Sequence, residues 1–105
     1  MTYVTEDRQT DQRIKVYRLT TVLLDAAFEL PTWCCIDQWS REAAIAAIER
    51  CQPILRLVQD AVRALGAPDD INESSRATIL FAEAVCLDCQ REIDFVRYEL
   101  LPYAN

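Results

Sequence analysis

The sequence predicts an all-α fold, and three observations predict it. A single glycine, Gly66, stands among 105 residues, so tight β-turns that need positive φ have almost no residue to use. Pro31, Pro68 and Pro102 each follow a long stretch in which apolar residues recur at alternating steps of three and four, the period of a helix rather than a strand. No internal repeat, low-complexity tract or linker interrupts the chain. Its length is that of one domain, 1–105, able to bury roughly 60–70 % of the surface its unfolded form exposes.

The first helix is expected from about Thr5, a hydroxyl cap followed by Glu6 and Asp7, to Leu30, where Pro31 stops it. Two apolar rows run along it. Ile14, Tyr17, Thr21, Leu24 and Phe28 form one, and Val16, Leu19, Leu23, Ala27 and Leu30 lie beside them, which leaves water only a narrow strip with Lys15, Arg18, Asp25 and Glu29. The segment 31–39 has no clean period and reads as a connector, with Ser40 as the cap of the next helix.

That second helix spans about Ser40 to Leu65 and ends at Gly66, with Pro68 just beyond. Pro53 removes a backbone hydrogen bond and crowds the carbonyl of Glu49, so either two helices meet at Gln52 or one helix kinks. Ala44, Ile48, Cys51, Leu55, Val58, Val62 and Leu65 keep one register on both sides, which favours a single helix kinked at Pro53. After the turn 67–70, the last helix starts near Asn72 or Ser74 and continues to about Leu101. The architecture is therefore a bundle of three long helices plus a short connector.

The last helix is the most informative. Ile79, Ala82, Cys86, Cys89, Ile93, Val96 and Leu100 make the seam of a bundle. Leu80, Ala84, Leu87, Phe95 and Tyr98 form a second stripe nearly opposite, interrupted by Arg91. Two readings are open: the helix lies between the other two and buries both faces, or the second stripe is an interface for another protein or a second copy. Trp33 and Trp39 in the connector are either a plug for one end of the bundle or hot spots of a binding loop. Asp88, Glu92 and Glu99, with Glu73, Glu83 and Asp94, could face a basic partner, although Arg76, Arg91 and Arg97 are interleaved with them.

Other function classes find little support. The chain has no histidine, which removes the commonest general base and metal ligand and argues against an enzyme. The carboxylate pairs Asp25 with Glu29, Asp69 with Asp70 and Asp88 with Glu92 are ordinary on solvated helices. A net charge of −6 disfavours direct contact with a phosphate backbone. No apolar run approaches the ~20 residues of a membrane span, and the polar, acidic start lacks the pattern of a secretory signal, so a cytoplasmic location is expected.

Five cysteines, 34, 35, 51, 86 and 89, are an odd number and point to free thiols in a reducing compartment. Cys86-x-x-Cys89 invites a metal or redox reading, but it is mid-helix and on the seam, as Cys51 is on its own, where cysteine serves as a small apolar residue. No cofactor and no metal are expected. The vicinal pair Cys34-Cys35 is the more exposed and reactive one.

A short, acidic, helical chain with a two-sided last helix and no enzyme constellation resembles, in overall character, the small phage-encoded anti-CRISPR proteins. That resemblance implies a non-enzymatic inhibitor that blocks a basic Cas component by direct contact. The alternatives are a dimeric regulatory bundle of the immunity-protein or antitoxin type, joined through the last helix, and a cysteine-based metal or redox module.

Overall fold

The computed structural model describes residues 2–66 and 71–103. Three long helices dominate it: α1 (Thr2–Ala27), α2 (Arg41–Leu65) and α3 (Glu73–Phe95). A 3-10 helix, Trp33–Gln38, joins the first two, and α3 runs on into a π-helical turn, Val96–Leu100, and a 3-10 turn, Leu101–Tyr103. No strand occurs among the described residues. Neither the turn 67–70 nor its Asp69–Asp70 pair is among them.

Cross-contacts set the order of the bundle. The backbone N–H of Asn72 donates to Gln9 Oε1 at 3.2 Å and the ring of Tyr17 lies 6.0 Å from that of Phe81, so α1 and α3 run parallel. Arg41 Nη1 donates to the carbonyl of Leu101 at 3.3 Å, and Cys51 acts on Cys89, so α2 runs antiparallel to α3. The result is a rod of 59 × 18 × 17 Å.

Local chemistry places the helix ends. Ser40 Oγ accepts from the N–H of Ala43 at 3.0 Å, and Asn72 Oδ1 accepts from the N–H of Ser75 at 2.8 Å. Each cap satisfies one amide that the first turn would leave unpaired, worth about 1 kcal/mol. The start and end of α1 differ from expectation. It is already helical at Thr2, so Thr5 lies inside it, and it stops at Ala27 rather than Leu30. Glu29 and Leu30 instead close tight bonds onto Ala26 and Ala27, because the residue before Pro31 is pushed out of the α region.

The helix α2 is continuous through Pro53, so no second helix starts at Gln52. Pro53 and Glu49 both sit on the exposed face, where water can reach the carbonyl that proline leaves without a donor.

Every residue of the expected α3 seam is buried, and so is that of α2 except the half-buried Val62. Among the α1 residues whose burial is described, Val16, Thr20 and Leu23 are buried, as is Leu30 just beyond the helix, and Thr20 satisfies its hydroxyl by donating to the carbonyl of Val16 at 2.7 Å. The other α1 row behaves differently: Ile14, Tyr17, Thr21 and Phe28 are exposed, and Leu24 is half-buried. The dry arc of α1 is thus narrower than its sequence suggests, because one core cannot take both rows.

Gly66 closes α2 with φ of 121°, a region that side chains with a Cβ avoid. A Cβ built there would meet Ile71 Cγ2 at an ordinary 3.7 Å, so backbone strain alone sets the cost. Gly66→Ala should lose about 1–3 kcal/mol. Thermal unfolding followed by circular dichroism should show a midpoint lower by several degrees with unchanged helicity.

Candidate protein interface

Parallel α1 and α3 leave a trough between them on the side away from α2. It encloses about 460 Å³ and is walled by Leu24 of α1, Phe28 in the turn that follows it, Pro31 and Trp33 of the connector, and Val85 and Phe95 of α3. Phe28 is 84 % exposed and Trp33 is 74 % exposed, so neither is a core residue that happens to touch a cavity. Tyr17 and Phe81, tilted 32° to one another, stand one step further toward the start of both helices. Five of the chain's nine aromatic residues thus share one face.

Two carboxylates of α3, Asp88 and Glu92, are the charged residues of this lining, and they stand one helical turn apart. Burial among the apolar walls, and then the charge of Asp88, push the Glu92 carboxyl above the ordinary carboxylate range.

The candidate residues read from the sequence separate into groups. Trp33, Asp88, Glu92 and Phe95 converge on the trough. Leu80, Leu87 and Tyr98 remain on the surface as a different stripe, with Leu80 and Tyr98 each 67 % exposed. At ~100° per residue, Phe95 lies about 60–80° round the helix from Leu80 and Leu87, toward Phe81. The single second stripe expected on the last helix is therefore two surfaces, and neither is buried inside the chain. Trp39 is half-buried against the core, whereas Trp33 plugs nothing. Glu99 is exposed on the π turn and does not line the trough.

Sequence reasoning missed Phe28, Leu24, Tyr17, Phe81 and Val85 as members of this site. The first three belong to a periodic row that was assigned to the core. The available signal was that two adjacent apolar rows on one helix compete for a single seam.

The cysteines divide just as clearly. Cys51, Cys86 and Cys89 are buried on the seams, and desolvation raises all three thiols, Cys89 to about 12. Cys34 is exposed at the rim, beside Trp33; hydrogen bonds with Thr32 Oγ1 at 3.5 Å and then with Cys35 Sγ at 3.8 Å lower its thiol. Among the described residues no group of three or more His, Cys, Asp or Glu side chains converges as metal ligands do. No described helix is long and apolar enough to cross a membrane.

No protein-family model, curated protein or solved structure matches this chain.

Two expectations follow. In the folded protein near pH 8, a thiol reagent should modify Cys34 first, while Cys51, Cys86 and Cys89 react only after unfolding; peptide mapping by mass spectrometry reads the order. Because the Glu92 pKa is raised on folding, its contribution to stability is complete below the unfolded carboxyl range and is lost as pH rises through the folded value. Glu92→Gln should accordingly melt higher than the parent at pH 7, and the gap should close below about pH 4.

Proposed function

We propose that this chain acts by binding another protein on its α1–α3 face, without chemistry of its own. The observation that supports this most is the inversion of side-chain size. Phe28, Phe81, Phe95 and Trp33 are exposed, while the described core holds no aromatic ring and is built of valine, leucine and isoleucine with Ala44, Ala47, Ala61, Ala82 and three cysteines among them. Phenylalanine normally ranks among the buried residues, and contiguous apolar patches on a protein surface mark interaction sites. The accessible surface is 7292 Å². A compact monomer of 12.1 kDa would expose about 6,000 Å². The rod shape thus presents roughly 1,300 Å² more than a compact form, beyond the ~800 Å² that one partner contributes to a standard interface.

In its finer form, the proposal is that the occupant is a basic Cas component and that the chain inhibits it by direct contact in a reducing cytoplasm. The net charge of −6 and the two acidic residues in the trough favour a basic partner. The separate stripe of Leu80, Leu87 and Tyr98 supports a second reading, self-association through the outer face of α3.

Phe28→Asp with Phe95→Asp should abolish co-purification with Cas effector complexes. The same pair should abolish protection of a targeted phage in a CRISPR-active host, with the helical spectrum retained. Leu87→Glu with Tyr98→Glu should leave both intact and affect only the solution mass measured by light scattering. Loss of protection with the outer pair, and not with the trough pair, would refute the assignment of the face. A folded trough variant that still protects would do the same.

A further inference from the structure

The occupant of the trough can be specified further, on the reading that the α1–α3 face is the binding surface. We propose that it seats an amphipathic helix of the partner, a row of apolar side chains flanked by lysine or arginine at i and i+4, as the fourth helix of a bundle.

The shape of the trough argues for a helix. Its floor is laid by two parallel helices, and its α3 wall runs from Val85 to Val96, about 17 Å or three turns at 1.5 Å per residue. Extended by Tyr17 and Phe81, the apolar track is about four turns long. The vacant side of a three-helix arrangement is where a four-helix bundle places its remaining member, and a helix laid in an apolar groove anchors through residues at i, i+3, i+4 and i+7. An extended strand would need an unpaired sheet edge, and the described residues offer none.

Charge selects which helix. Asp88 and Glu92 are stacked one turn apart in an otherwise uncharged wall, and the walls carry no lysine or arginine to answer them. Neither carboxylate has a partner among the described ion pairs, which join Arg50 to Glu29 and Arg63 to Asp60. A partner helix with two cations one turn apart on its flank meets both carboxylates at once. An acidic helix with the same apolar row would bury like charge against Glu92, which burial already disfavours in its ionised form. The trough therefore discriminates by sign as well as by shape.

The test uses two labelled synthetic peptides of about 14 residues, four helical turns, that share one leucine row and differ only in having lysine or glutamate on its flanks. Binding to the full-length protein is read by fluorescence anisotropy. The lysine peptide should bind about ten-fold more tightly than the glutamate peptide at low salt, the worth of two partly buried ion pairs. Asp88→Asn with Glu92→Gln should shrink that preference to about two-fold or less, and Phe28→Asp should weaken both peptides together. Equal binding of the two peptides overturns the charge assignment, and absence of binding by either overturns the helix. If neither peptide binds while Phe28→Asp still abolishes capture of the Cas effector, the helix proposal falls and the interface reading stands. If Phe28→Asp converts a wild-type dimer to a folded monomer, the occupant is a second copy and the helix proposal falls alone. If Phe28→Asp changes neither capture nor mass, both readings fall.

Discussion

Packing of three helices along their periodic apolar seams is the constraint on which the rest of this molecule depends. Aliphatic side chains such as Ile48, Leu55, Val58, Ile79, Ile93 and Val96 alternate with alanine and cysteine on the seams of α2 and α3, and Ser75 and Thr20 are also fully enclosed. Interdigitating side chains of this kind set helix axes about 8–10 Å apart. No Phe, Tyr or Trp is among the buried residues described, and forcing extra bulk into a filled core would cost about 1–3 kcal/mol. The three phenylalanines and Trp33 lie on the surface instead.

Exclusion alone would scatter those rings. Topology gathers them. With α1 and α3 parallel and in register, the outer row of one helix faces the flank of the other, so Tyr17 meets Phe81 and Phe28 comes over the trough opposite Phe95. The early stop of α1 adds to this. Because the chain leaves the helix at Ala27, Pro31 and Trp33 fold back as an end wall instead of continuing the rod. Polar contacts hold the arrangement but do not drive it. The Arg50–Glu29 pair, at 2.6 Å, is half exposed on both sides, where such bridges are worth at most about 1 kcal/mol.

The same geometry separates two kinds of thiol. Buried on the seams, Cys51, Cys86 and Cys89 fill space, and their ionisation is opposed by the dry surroundings that make them useful there. Cys34 and Cys35 stand in a short 3-10 helix beside the trough, with one thiol open to water. Reactivity at that rim would be felt by Trp33, its direct neighbour in sequence.

What the sequence determined by itself was local or strictly periodic: the helical class, the cap at Ser40, a last helix starting near Asn72 or Ser74, the stop at Gly66, and the seams of α2 and α3. Each follows from side-chain spacing or from chemistry within a turn, and neither needs a partner to be known. What tertiary structure decided was which apolar row of α1 would be dry and where the surplus would lie. Two largely apolar rows sit side by side on that helix, and period cannot rank them. In the bundle the row with Val16, Leu19 and Leu23 packs into the core, and Tyr17, Thr21 and Phe28 stay exposed. The division of the outer face of α3, with Phe95 turned to the trough and Leu80 and Leu87 turned away, likewise depends on where α1 packs, a fact about three helices that no single helix contains.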